Sequence, residues 1–255
     1  MSGEAAVAAF RHILGVRVEA LTAADLVRLV LAWAAAGESR SVCFATVYNL
    51  MLAHDSPDFR QAIGTADLVT PDGMPLVWGL HWLGVKEAVQ VCGPELTPLL
   101  LGAAAQGGVP VGFYGGRPRV LEDLVERIRR QFPRLQVAYA WSPPFRPLTP
   151  EEEQKALAEI RASGVLILFV GLGTPKQDLW MAAHRGAVPA VMLGVGQTFD
   201  LLAGAQRRAP RWMRTHGLEW LFRLLHEPRR LWKRYLWHNP RFVLLFARQL
   251  WRGRP

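Results

Sequence analysis

The residues whose type and spacing could do chemistry are concentrated in ADLVTPDGM, from Ala66 to Met74, where an apolar run ends in one carboxylate between a proline and a glycine. Leu68 and Val69 favour a strand, Pro71 has no N–H with which to extend a ladder, and Gly73 permits the tight turn that precedes a helix. Asp72 is thereby presented at the carboxyl end of a strand, the edge at which open α/β sheets bind ligands. A carboxylate placed there can accept a proton as a general base. It can also do no more than cap the helix that begins near Met74.

Three further loops leave apolar runs with paired glycines: Gly115 and Gly116, Gly171 and Gly173, Gly194 and Gly196. Such loops can offer backbone N–H groups and a helix N-terminus to a phosphate, or simply make a tight turn. Lys176 and Gln177 directly follow the second loop. A cation and an amide in that position could hold a diphosphate and a sugar hydroxyl, or could lie in an exposed first helical turn. Neither the GxGxxG pattern of dinucleotide sites nor the GxxxxGK[ST] pattern of P-loops occurs, so NAD and ATP lose their best support. No D-x-D pair occurs either, which removes the usual carboxylate clamp for Mg²⁺ or Mn²⁺. Phosphate charge would then be met by Arg, Lys and backbone N–H groups, with no metal or other cofactor expected.

These loops need a sheet to hold them. His12 to Leu21 reads as a strand or hairpin, and Thr22 as the N-cap of a helix through Ala36. Ser41 to Tyr48 is a strand by its β-branched and aromatic residues, and Asn49 to Gly64 is helical. Helices over Pro75 to Leu83 and Pro94 to Gln106 lead to a strand over Val109 to Tyr114, a helix over Arg119 to Phe132, and a strand over Leu135 to Ala140. Thr149 caps a helix with three glutamates in its first turn, as the helix dipole favours. Val165 to Val170 is apolar throughout, as in a strand covered on both faces. A helix over Pro175 to His184, a strand over Ala190 to Val195 and a further helix complete the alternation, which predicts an α/β fold with a mostly parallel sheet and helices on both faces.

The last fifty residues differ in character. Residues 205–255 carry thirteen Arg and Lys against Glu219 and Glu227, a surplus of +11, whereas the whole chain is +9 and residues 1–204 sum to −2. Five of the ten tryptophans, Trp212, Trp220, Trp232, Trp237 and Trp251, lie in the same stretch. Trp interleaved with Arg suits an interfacial helix on an anionic membrane surface. A basic solvated face with Trp packed inward is the competing reading, and nucleic acid is not expected, since no RRM, KH or helix-turn-helix signature is present. Leu221, Leu224 and Leu225 share a helical face, and Pro228 and Pro240 are expected to divide the tail into separate helices. Domains are therefore expected at 1–204, an α/β catalytic core, and 205–255, a basic helical appendage whose apolar surface could drive self-association into a homo-oligomer. Cys43 and Cys92 have no metal-ligand spacing, and neither a secretory leader nor a membrane-spanning run of about 20 apolar residues is seen.

Taken in order, ADLVTPDG, VGLGTPKQDLW, GVGQTFDLLAG, RRAP, GLEWLFRL and EPRRLWKRY resemble the WecG/TagA/CpsF family of bacterial glycosyltransferases, over about Ile13 to Tyr235. The resemblance implies a Rossmann-like (GT-E type) core with a C-terminal appendage and an inverting, metal-independent reaction. It implies transfer of a sugar such as N-acetylmannosamine from a UDP-sugar to an undecaprenyl diphosphate-linked sugar, at the cytoplasmic face of the membrane, with the enzyme peripheral to it. Products of the family feed teichoic acid linkage units, enterobacterial common antigen and capsule. By the same resemblance Asp72 is the general base, and Lys176 and Gln177 match a KQ pair followed here by Asp178; the glycine loops, with Gly115, Gly171 and Gly196, are expected from their own sequence to receive the UDP-sugar with that pair. Arg208, Arg223, Arg230 and Arg234 fall at or near arginines used around the diphosphate or the membrane.

The sequence departs from the family pattern at two motifs. Counted back without gaps, a T-x-N motif falls on Phe44 and Thr46, leaving Thr46 and Tyr48 as candidate replacements for the lost contacts. A family arginine falls on Gln90, which removes a permanent charge and a bidentate donor. These changes bear on which donor sugar is used, and they also admit a non-catalytic nucleotide-sugar or lipid-diphosphate binding protein on the same fold.

Overall fold

The computed structural model describes residues 8–253. The chain opens with a hairpin of β1 (Ala9–Ile13) and β2 (Val16–Ala20), turned at Leu14 and Gly15, both at positive φ. Helix α1 (Ala23–Ala35) leads to β3 (Arg40–Ala45), followed by α2 (Val47–Asp55), α3 (Pro57–Gly64) and β4 (Leu68–Pro71). The strand expected to reach Tyr48 stops at Ala45 because Asn49 Oδ1 accepts from both the N–H and the hydroxyl of Thr46, which starts a helix there. The helix expected over Asn49 to Gly64 is two, since Pro57 has no N–H to continue the first and Ser56 Oγ caps the second through Phe59 N–H.

After β4 come α4 (Met74–Trp82), α5 (Gly93–Gly107), β5 (Val111–Gly115), α6 (Pro118–Gln131), β6 (Val137–Trp141) and α7 (Pro150–Ala162). Then follow β7 (Ile167–Gly171), α8 (Lys176–Ala183), β8 (Val191–Gly194) and α9 (Thr198–Leu202). Six strands form one sheet in the order β4-β3-β8-β7-β5-β6, flanked by helices. The pairs β3–β8, β8–β7, β7–β5 and β5–β6 are parallel. This is the alternating α/β architecture that the sequence pattern predicts.

The tail is helical: α10 (Arg211–Thr215), α11 (Glu219–His226), α12 (Pro228–Trp232), a π turn (Lys233–Trp237) and α13 (His238–Trp251). Pro228 does start a helix, but Pro240 does not. It sits in the first turn of α13, where its missing N–H falls opposite the widened π turn, and the helix runs on from Pro228 to Trp251.

The chain folds as two compact units. One comprises residues 1–22, 44–92 and 208–255, and the other residues 23–43 and 93–207. From residue 208 the tail groups with residues 44–92, whereas composition places a boundary at 204/205. In that first unit Phe246 of α13 is 2% exposed, stacks on Phe242 and Trp82, and approaches Gly79 of α4 so closely that a Cβ there would lie 3.3 Å from its ring. Arg241 adds a two-pronged bond to Asp55 at 2.8 Å, and Gln249 donates to His12 O at 2.6 Å. Truncating an aromatic side chain packed like Phe246 costs about 3–5 kcal/mol. The second unit is built on Phe113 and Phe169, stacked at 5.4 Å, with Phe199 edge-on to Phe113.

Candidate active site

Asp72 is the residue after β4, and its turn is fixed by backbone groups of the first unit. Its N–H donates to Ala45 O at 2.9 Å, Val91 N–H donates to Pro71 O at 3.1 Å, and the Gln90 side-chain amide donates to Asp72 O. Glu19, buried in β2, accepts from Val69 N–H at 2.7 Å and so ties the hairpin to β4. The helix that follows is capped at Gly73, without a side-chain bond, so Asp72 is not its N-cap. Its carboxylate is half-buried and left to interact with what faces it.

What faces it comes from the tail. Burial and the Glu219 carboxylate push the Asp72 carboxyl up, the guanidinium groups of Arg223, Arg208 and Arg234 pull it down, and the balance lies at about 7. A carboxyl near neutrality is matched to accepting a proton at the pH of the cell. Arg208 Nη2 is also 3.3 Å from Cys92 Sγ. Arg234 leaves the π turn, lies over the Tyr48 ring with Cζ 4.4 Å from the centroid, and reaches Thr46 Oγ1 at 3.4 Å. Burial lowers its own pKa, and its Nε has no hydrogen-bond partner among the described residues.

The predicted residues thus sort by unit. Asp72, Thr46, Tyr48, Gln90, Arg208, Arg223 and Arg234 belong to the first. Thr46 and Gln90 have local partners: Thr46 starts α2, and the Gln90 amide holds the Asp72 backbone carbonyl. Phe44 is a core residue of β3. Arg230 is exposed and paired with Glu227 at 2.7 Å, apart from the groups that act on Asp72. Glu219, expected to pair with an arginine, acts on Asp72 through its charge, and no sequence motif marks Asn49 or His238, which contact Thr46 and Tyr48.

Gly115, Gly171, Lys176, Gln177 and Gly196 belong to the second unit. Gln177 is buried, accepts from Gly173 N–H at 3.0 Å and donates to Gly194 O at 2.7 Å, so its amide braces two of the glycine loops. Gly116 N–H donates to Gly171 O and Gly196 N–H to Val170 O, so those two groups are engaged within the protein. The glycines allow close approach: a Cβ on Gly171 would lie 2.5 Å from the Phe199 ring, and one on Gly115 2.6 Å from the Gly171 carbonyl carbon. Lys176 is exposed at the start of α8. Asp200 pairs with Arg117 at 2.9 Å, a structural role.

The first unit also carries a concentration of exposed apolar side chains: Trp82, Trp212, Trp232, Leu236, Trp237 (63% exposed) and Trp251 (86%). Trp220 instead packs near Tyr235, with centroids 5.9 Å apart. No helix among the described residues is long and apolar enough to cross a membrane. Among the described residues no group of three or more His, Cys, Asp or Glu is placed to hold a metal ion, and Cys43 and Cys92 are buried free thiols. The family model described as "Glycosyl transferase WecG/TagA/CpsF family" matches residues 11–255, nearly the whole chain.

Proposed function

The chain belongs to the WecG/TagA/CpsF family of glycosyltransferases, and from that premise we propose that it moves a hexose or N-acetylhexosamine, of the N-acetylmannosamine kind, from a UDP-sugar to an undecaprenyl diphosphate-linked sugar in surface-polysaccharide synthesis. The supporting observation is the Asp72 carboxyl, balanced near neutrality beside three arginines in one compact unit. In this reading Asp72 takes the proton of the acceptor hydroxyl as its oxygen attacks the anomeric carbon from the face opposite the departing UDP, which inverts the centre. Arg208, Arg223 and Arg234 supply charge-assisted donors for the acceptor's diphosphate. They also bring the reacting hydroxyl to the base, so that binding the lipid and positioning the nucleophile are one event.

The exposed tryptophans and the basic residues around them, Arg211, Arg229 and Lys233, fit the headgroup layer of an anionic bilayer. The enzyme would then lie on the cytoplasmic face as a peripheral protein and meet its acceptor there. The test is transfer of radiolabel from a panel of UDP-hexoses and UDP-N-acetylhexosamines to undecaprenyl diphosphate-linked sugars. Transfer with inverted anomeric configuration, unchanged by EDTA, is expected. Transfer that requires a divalent cation, or none from any UDP-sugar, would overturn the proposal.

A further inference from the structure

Arg234 has an unusual seat for a cation that acts on a carboxylate. Its side chain is held against Tyr48 of α2, with Cζ 4.4 Å above the ring centroid. On the same tail helix, four residues on, the His238 ring meets Tyr48 edge-on, with centroids 5.3 Å apart and planes at 68°. Arg234 and His238 therefore grip one tyrosine ring between them. The guanidinium end is fixed at a corner next to the reacting group: Nη2 is 3.4 Å from Thr46 Oγ1, and Thr46 Cα lies 3.6 Å from where a Cβ on Gly73 would be. The Arg241–Asp55 bond fastens α13 to the far end of α2, so the grip is anchored at both ends.

We infer that Tyr48 and His238 are positioning residues, which act by pinning the Arg234 guanidinium beside the Asp72 carboxyl rather than by touching substrate. This rests on the reading of Asp72 as the base. Cation–π contact gains strength when the cation is desolvated, as Arg234 is, and a tyrosine face holds a guanidinium without neutralising it. The positive charge therefore stays available to Asp72 and to an incoming anion. His238 suits the arrangement as a neutral ring. Burial and the charges of Arg241 and Arg234 hold its pKa below the ordinary histidine value, with Asp55 opposing, so it adds no repulsion at neutral pH. Asp72 itself is faced by Glu219 and Arg223 of α11, Arg208 and Arg234. Of these, Arg234 is the one the ring pair controls.

The experiment is a titration of Asp72 by ¹³C NMR on full-length protein labelled at Asp Cγ, with the resonance identified by its loss in Asp72→Asn, beside the pH profile of transferase kcat/KM. Tyr48→Leu frees Arg234 and should move the Asp72 midpoint upward by about one unit, within the range for losing a nearby opposite charge. The fraction of active base at pH 6 would fall about tenfold. His238→Ala should move the midpoint the same way by less, Tyr48→Phe should leave it in place, and Tyr48→Leu should add nothing to Arg234→Met. An unmoved midpoint in Tyr48→Leu, or an equal shift when Arg234 is already Met, would overturn the inference. If Tyr48→Leu fails to fold, His238→Ala decides the matter by the same criterion. A wild-type protein with the expected Asp72 shifts but no transfer would refute the transferase proposal and leave the positioning intact.

Discussion

Replacing Asp72 by Asn tests two consequences of a raised carboxyl pKa. A carboxyl whose folded pKa is about 7, against a reference of 3.8, is disfavoured as an anion by the fold. The unfolded chain ionises first, so stability falls as pH rises from about 4 to 7 and levels off above that. Asn resembles the protonated acid and escapes this loss. The expected advantage of Asp72→Asn is about 1.5 kcal/mol at pH 5 and about 4 kcal/mol at pH 8, from 1.36 kcal/mol per pKa unit. Catalysis moves the other way: a base is available only above its pKa, so wild-type kcat/KM should drop tenfold per unit below pH 7, and removing a general base typically costs about 10²–10⁴-fold. Urea titrations of both proteins at pH 5 and pH 8, paired with transfer assays, measure the two effects. A variant that loses activity without a stability gain that widens with pH would show that Asp72 is not a desolvated carboxyl among the arginines. One that retains wild-type rates would show that it is not the base.

Deleting the tail is a poor test of membrane binding, because Phe242, Phe246 and Leu231 belong to the core of the first unit. Trp212→Ser, Trp237→Ser and Trp251→Ser combined leave that core intact and should lower partition onto phosphatidylglycerol vesicles by about tenfold or more in sedimentation, with the residual binding abolished by salt; unchanged sedimentation would refute the membrane surface. Gly171→Ala forces a Cβ against the Phe199 ring and should cost about 1–3 kcal/mol by overpacking, read as a lowered thermal midpoint; an unchanged midpoint would mean that the loop yields freely.

The alternation of strand and helix was legible because both periods are local. So was Asp72, since Pro71 and Gly73 leave the chain few ways to place it. The helix boundaries that shifted did so through single side-chain bonds, such as Asn49 to Thr46, whose geometry a propensity argument does not contain. Pro240 misled for a related reason: proline stops a helix by lacking a donor and crowding a carbonyl, and a π turn relieves both. Gln177 reads as a ligand because it directly follows a glycine loop. That both of its ends bond backbone depends on where the loop after β8 comes to lie, which is long-range information.

Least legible was the tail, because charge counts describe what a segment offers to solvent and not what it brings to a neighbour. The surplus of arginines reads as a surface property, and part of it is. Yet three of them lower the pKa of one carboxyl. Desolvation and Glu219 both raise its pKa, and the three arginines oppose them. Residues 44–92 carry the Asp72 carboxyl, and residues 208–255 carry the arginines that pull its pKa down. The tail is held to the rest of the first unit through Phe246, Arg241 and Gln249, as a core element is.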